Sequence, residues 1–226
     1  MKKLALFDLD HTLIPTDSDA EWARYMVANN MVDAASYAPI SMKFYEDYQN
    51  GCLDVYAYLN FSLKALINQD RSFLNQHRTQ FLKQYIQPKI LPAAQNLVNS
   101  HLDKGDLCCI ITATNAFITR PIAQLFNIDH LIAIELETEN NDPEGRYTGA
   151  IRGIPSFQAG KIIRAQQWLA SLQKSWDDFA ETYFYSDSRN DIPLLEKMTH
   201  PVATNPDPVL TQYATERGWR ILKLFP

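Results

Sequence analysis

Leu4-Ala5-Leu6-Phe7-Asp8-Leu9-Asp10-His11-Thr12 is a short apolar run that turns acidic the moment it ends. An unbroken run of this length, rather than an alternating one, suits a strand buried on both faces of a parallel sheet. Three further runs share the form: Leu107-Cys108-Cys109-Ile110-Ile111 before Thr112, Thr182-Tyr183-Phe184-Tyr185-Ser186 before Asp187, and Pro201-Val202-Ala203-Thr204 before Asn205. Helical spacing fills the intervals over residues 93–104, closed by Gly105, then 158–172, 192–198 after Asp191, and 209–217, closed by Gly218. This alternation predicts an α/β fold with a doubly wound, mostly parallel sheet, in which ligands sit beyond the carboxyl ends of the strands. Residues 131–137 and 147–154 are strand-like and flank the turn-rich Asn140-Asn141-Asp142-Pro143-Glu144-Gly145, so a β-hairpin is expected there.

Roughly a hundred residues separate the first two runs, whereas a parallel crossover needs only about a dozen. The excess reads as helical. Ser18 with Glu21 forms a capping-box pattern, Trp22, Tyr25 and Met26 follow at helical spacing, and breaks fall near Asp33 and at Gly51. The same period returns over residues 55–67 and 73–86, and Pro88 and Pro92 close the segment. The expected division is a catalytic core of residues 1–15 and 88–226 with an all-helical cap over residues 16–87. Phe44, Tyr45, Tyr48, Tyr56, Tyr58 and Phe61 are expected to form mostly the interior of this insert, with a minority lining a pocket.

Composition narrows the function. With 26 Asp and Glu against 21 Lys and Arg, the net charge of -5 argues against nucleic acid or an anionic membrane surface as partner. Neither GxGxxG nor GxxxxGK[ST] occurs among the seven glycines, which excludes the usual dinucleotide and NTPase phosphate loops. Cys52, Cys108 and Cys109 have no metal-binding spacing, and the adjacent pair is ill placed for a disulfide; all three are read as buried reduced thiols of a cytoplasmic protein. Residues 1–3 are basic, but the apolar stretch behind them is too short for a signal peptide, and no segment approaches the ~20 apolar residues of a membrane span.

The chemistry is expected at the strand ends. Asp8 and Asp10, two apart on extended backbone, point to the same side. Such a pair raises one partner's pKa unless a cation intervenes, which suits a nucleophile with a general acid/base, or metal chelation. Thr112 offers a hydroxyl and an amide to an anionic oxygen, or else caps a helix. Lys161, at the start of a helix, opposes the helix dipole and calls for a nearby anion, unless it is a solvated surface residue. Asp187 and Asp191 are oxygen donors of the kind that hold Mg²⁺, or else a turn residue and an N-cap.

In order along the chain, DLDHT, IITATN, Gly160-Lys161 and SDSRND resemble the four motifs of the haloacid dehalogenase-like (HAD) superfamily, and the helical insert behind the first motif resembles the cap of its phosphoserine-phosphatase-like branch, subfamily IB. The resemblance covers essentially the whole chain. It implies a Rossmann-like core and an Mg²⁺-dependent phosphomonoesterase, with Asp8 as nucleophile forming an aspartyl-phosphate and Asp10 as general acid and base. Asp8, the Asp10 carbonyl and Asp187 would hold the metal, with Asp191 behind them. Thr112, Ala113 and Lys161 would hold the phosphoryl group, and Asn190 would face the substrate. The carboxylate at position 10 favours phosphate esters over halides, because an alkoxide needs a proton to leave and a halide does not.

For the substrate, Thr112-Ala113-Thr114-Asn115 replaces the Ser-Gly-Gly that phosphoserine phosphatases place at the second motif, while Asp17 keeps an acid that either binds a substrate ammonium or caps the following helix. The expected substrate is a small phosphomonoester, specifically an amino-alcohol phosphate such as L-histidinol phosphate. Phosphoserine hydrolysis, phosphoryl transfer to an alcohol, and a receiver-like phospho-aspartate signalling domain are the alternatives. Oligomeric state is not readable.

Overall fold

The computed structural model describes residues 3–67 and 69–225; Met1 and Lys2 of the basic start, Asn68 of the helical stretch and Pro226 lie outside them. In chain order the elements are β1 (Leu4–Phe7), α1 (Ser18–Ala28), α2 (Ala34–Gln49), α3 (Val55–Ser62), α4 (Arg71–Phe81), α5 (Pro92–Leu102), β2 (Leu107–Asn115), α6 (Ala116–Leu125), β3 (His130–Thr138), β4 (Tyr147–Arg152), α7 (Ala159–Ser171), β5 (Thr182–Ser186), α8 (Ile192–Leu195), β6 (His200–Thr204), α9 (Pro208–Arg217) and β7 (Arg220–Leu222).

The sheet order is β4-β3-β2-β1-β5-β6-β7, with every neighbour pair parallel except β3 and β4. The expected hairpin therefore is the antiparallel edge of the sheet itself. Alternate strand residues feed opposite faces: Ala5, Phe7, Cys108, Ile110 and Tyr185 pack on one side, and Leu4, Leu6, Cys109, Ile111 and Phe184 on the other. This period of two, apolar on both faces, is what an unbroken apolar run encodes. The chain leaves β1 toward β2 on one side and returns to β5 on the other, so the switch point lies at the tip of β1.

The helices between β1 and β2 share the first of these cores. Trp22, Tyr25 and Met26 of α1 and Leu74 and Phe81 of α4 are buried with Phe7 and Ile110, and Trp22 meets Phe117 of α6 edge-on at 5.7 Å. Beyond α4 the chain makes one π-helical turn over residues 82–86 and a tight turn over 87–89 before α5.

Several local expectations are corrected. Asp17, not Ser18, caps α1, accepting from the amides of Asp19 at 2.9 Å and Ala20 at 2.8 Å. Glu21 cannot close a capping box because its carboxylate accepts from Thr16 Oγ1 at 2.7 Å and Lys89 Nζ at 2.5 Å instead. Cys52 is exposed, in the loop after Gly51 ends α2, whereas Cys108 and Cys109 are buried in β2. None of the six aromatics assigned mostly to the insert's interior is fully buried, and Tyr56 is 63% exposed. Phe44, Tyr45, Tyr48 and Tyr58 line a pocket at the strand tips, while Phe61 packs on Tyr37 and Phe44. Neither α6, an apolar-faced helix with Pro121 inside it, nor the three-residue strand β7 is among the expected elements.

Candidate active site

β1 delivers Asp8 to the tip of the central strand, where its amide donates to Tyr185 O at 2.9 Å. His11 then adopts a left-handed conformation (φ 55°) and turns the chain back, with its carbonyl accepting from Asn205 Nδ2 at 3.1 Å. Lys161 is only 3% exposed, which excludes the solvated-surface reading. Its ammonium lies 2.8 Å from Asp8 Oδ1 and 2.7 Å from Asp191 Oδ2. Just before Lys161, Gly160 lets the start of α7 pass close to the preceding loop, since a Cβ there would sit 2.1 Å from the carbonyl oxygen of Pro155. The side chain of Asp191 makes no N-cap bond to α8; besides Lys161 it accepts from Ser186 Oγ at 2.6 Å.

Asp187 and Asp8 converge on Thr12, whose hydroxyl lies 3.1 Å from Asp187 Oδ1 and 3.3 Å from Asp8 Oδ2 and accepts from the Asp187 amide at 3.0 Å. Two carboxylates, Asp8 and Asp191, thus pair with one ammonium, and Thr12 links the third, Asp187, to Asp8. Burial pushes the Asp8 carboxyl up to about 7 against the pull of Lys161, with Asp191 and Asp10 adding to the rise. Asp187 is also raised, first by burial and then by Asp8. For Lys161, burial works toward the neutral amine, but Asp191 and Asp8 outweigh it and hold the proton firmly.

Asp10 stands on the other side of Asp8. Its Oδ1 accepts from the Ser18 amide at 2.7 Å, and its Oδ2 accepts from Thr114 Oγ1 at 3.0 Å and Thr112 Oγ1 at 3.5 Å. Burial, then Asp17, raises its carboxyl to about 6. Thr112 caps no helix: Asn115 caps α6, while the Thr112 hydroxyl accepts from the Thr114 amide at 3.1 Å. Ser156 Oγ fixes the Thr112 carbonyl at 2.6 Å.

A pocket opens from these strand tips into the helical insert. Asp8, Asp10, Asp17, Thr112, Ala113 and Thr114 form its floor, and Tyr37, Phe44, Tyr45, Tyr48, Tyr58 and Phe157 its walls. Asp19 completes a set of four aspartates, held through Oδ2 by the Tyr58 hydroxyl. No Lys, Arg or His lines this pocket among the described residues. Burial, together with Asp17 and Asp10, holds the Asp19 carboxyl well above its ordinary value.

Asp8, Asp10, Thr112, Ala113, Lys161, Asp187 and Asp191 are therefore gathered at one place, and Asp17 both caps α1 and lines the pocket. Asn190 lies apart from the pocket lining: its Nδ2 donates to Tyr48 O of α2 at 3.3 Å, and its Oδ1 accepts from Gln158 Nε2 at 3.2 Å. Sequence reading missed Thr12, Thr114, Ser186, Asp19 and Tyr58. Thr114 was visible as a hydroxyl two residues beyond Thr112 on the same side of extended chain, whereas Thr12 reaches Asp8 through the turn at His11. The contact of Asp19 with Tyr58 spans 39 residues and leaves no local signal.

A doubly wound sheet that keeps buried carboxylates and a single lysine at its switch point, under a helical roof, defines a class: capped α/β hydrolases that work through aspartate. The chain belongs to the haloacid dehalogenase-like hydrolase family, whose sequence model matches residues 5–196. It is 46% identical over 222 residues to the histidinol-phosphatase of Neisseria meningitidis serogroup C (strain 8013), covering 98% of this chain and 99% of that protein. A crystal structure of a protein of unknown function from Bordetella pertussis Tohama I matches with a TM-score of 0.93 at 43% identity over 100% of both chains. A substrate-bound phosphoserine phosphatase shares the fold, with a TM-score of 0.67 at 17% identity over 98% of this chain and 93% of that one.

Proposed function

We propose that the protein is a Mg²⁺-dependent phosphomonoesterase of an amino-alcohol phosphate, with L-histidinol phosphate as its substrate. The observation that carries this reading is the charge of the pocket: four aspartates, aromatic walls and no cationic side chain among its described lining. A substrate carboxylate would enter uncompensated beside Asp17 and Asp19, at a Coulombic cost, whereas an ammonium or imidazolium group would gain. Histidinol phosphate carries cationic groups and no carboxylate; phosphoserine carries a carboxylate. The 46% identity to the Neisseria histidinol-phosphatase over nearly the whole of both chains supports the same choice.

The site fits a divalent cation. The buried Asp8 and Asp191 carboxylates pair with the Lys161 ammonium, the half-buried Asp187 meets Asp8 at the Thr12 hydroxyl, and Asp8 and Asp187 are both pushed toward protonation. Among the described residues no three His, Cys, Asp or Glu side chains form a cage by themselves. That suits Mg²⁺, which is usually bound by one or two carboxylates together with water and substrate phosphate. Asp8, Asp187 and the Asp10 carbonyl would hold it, and it would supply positive charge toward the phosphoryl oxygens.

Asp8 attacks phosphorus while Asp10 gives its proton to the leaving alkoxide, breaking the ester P–O bond and forming the aspartyl-phosphate. Asp10, now ionised, takes a proton from water as the water attacks the phosphorus, returning the Asp8 carboxylate and inorganic phosphate. Its elevated pKa suits both directions of proton transfer. Lys161 and the Thr112 hydroxyl, with the Ala113 amide, stabilise the phosphoryl oxygens. Residues 16–87 act as the cap that supplies the pocket walls. Cys108 and Cys109, buried on opposite faces of the sheet and unpaired, agree with a cytoplasmic setting.

The test is kcat/KM on L-histidinol phosphate and O-phosphoserine with and without Mg²⁺. A Mg²⁺-dependent preference for the former is expected; equal or better turnover of phosphoserine would sink the substrate assignment.

A further inference from the structure

We propose that the cleft between α4, α6 and the β3–β4 hairpin is a second anion site, shaped for a dianionic phosphate group and separate from the active site. Arg71 and Arg78 lie seven residues apart on α4, two turns along one face. Both guanidinium groups close on the same ring, at 5.9 and 4.7 Å from the centroid of Phe117, and Arg71 also lies 4.0 Å from the centroid of Tyr147. Arg152 reaches the same cleft from the end of β4, where its Nη2 donates to Thr138 Oγ1 at 3.1 Å.

Like charges brought together in this way repel unless an anion lies between them. Glu135, the one carboxylate lining the cleft among the described residues, is engaged by Arg120 at 3.1 Å. Arg71 and Arg78 each satisfy one nitrogen on a backbone carbonyl, of Pro143 at 3.2 Å and of Phe117 at 3.0 Å, but Arg71 Nη1 is buried with no partner. Planar forks with free donors, held rigid by aromatic faces, match the paired oxygens of a phosphate group. The protein as a whole carries a net charge of -5, so this concentration of arginine is local and against the average. Because α4 belongs to the insert while α6 and the hairpin belong to the sheet, an anion bound here would tie the two together.

The assignment is tested on the Mg²⁺-loaded protein by following the arginine Nε–Hε signals in a ¹H–¹⁵N correlation spectrum during titration with inorganic phosphate and, separately, with methylphosphonate. Arg71, Arg78 and Arg152 should shift together and saturate, and the tighter of the two probes tells free phosphate from a phosphate ester. The Arg152→Gln protein should bind about tenfold more weakly, as expected for losing one charge-assisted bond, while its aryl-phosphate turnover in phosphate-free buffer stays unchanged. Should Arg152→Gln perturb the hairpin, Arg71→Lys keeps the charge, removes the fork and should weaken binding likewise. Shifts without saturation for both probes, or equal shifts at Arg164 and Arg217 outside the cleft, would overturn the proposal.

Discussion

The Asp10 carboxylate and the Ser18 amide are joined by a 2.7 Å hydrogen bond, across the point where the chain leaves the sheet for the helical insert. The candidate general acid is therefore oriented by the first turn of α1, and its other oxygen is held by Thr114 of the neighbouring strand. Asp10→Asn should lower kcat by about 10²–10⁴-fold on alkyl phosphates, the range typical of general acid–base catalysis. The loss should be much smaller with p-nitrophenyl phosphate, whose leaving group needs no proton. Equal losses on both substrates would remove the acid role.

Lys161→Gln should destabilise the protein as well as disable it. Removing the ammonium leaves Asp8 and Asp191 buried beside one another with no cation, a change of about 3–5 kcal/mol when one partner of a buried pair is lost. Urea unfolding without Mg²⁺ measures the loss. Added Mg²⁺ should recover part of the stability and little of the turnover.

Asp19→Asn should raise KM for L-histidinol phosphate by about tenfold, in the range of a lost charged hydrogen bond. KM for p-nitrophenyl phosphate, which has no cationic group to offer, should not rise. Steady-state kinetics on the two substrates separates a pocket effect from a general loss of folding.

The clasp at the mouth of the insert should show in the acid limb of stability. Burial acts to raise the Glu21 carboxyl, but Lys89 and Thr16 outweigh it and hold it below its ordinary 4.5. Its contribution is fully present above pH 4.5 and is lost as pH falls through the lower folded value. Lys89→Met should therefore cost roughly 1 kcal/mol near pH 7, with Lys89 partly exposed and the pair screened accordingly. The difference from the wild type should shrink as pH falls below 4.5; a gap that widens toward acid would contradict the clasp.

Much of the site was legible because its chemistry is local to strand ends. An apolar run followed by Asp8 and Asp10, or by Asp187 and Asp191, names both the strand and the group it delivers. Lys161 announced its need for an anion by opening a helix, and Asp8 and Asp191 supply it. Patterns that depend on competing partners were not legible. Ser18 and Glu21 have the letters of a capping box, yet Asp10 takes the Ser18 amide and Lys89 takes Glu21, neither of which local spacing reveals. The aromatics of α2 and α3 could not be told from interior residues, since the same helical period serves a packed face and a pocket wall. Pro121 inside α6 reads as a helix breaker despite the apolar face around it, and the three-residue β7 is too short for a period to show.

Asn190 links the loop after β5 to the helical insert. It sits in the loop that bears Asp187 and Asp191, and it grips the backbone of α2 through Tyr48 and the approach to α7 through Gln158. A swing of α2 away from the strand tips would have to break that grip, so the loop bearing Asp187 and Asp191 is fastened to a helix that walls the pocket. A change at this position should loosen α2 over the strand tips, and its effect belongs to how the pocket opens rather than to how fast the ester bond breaks.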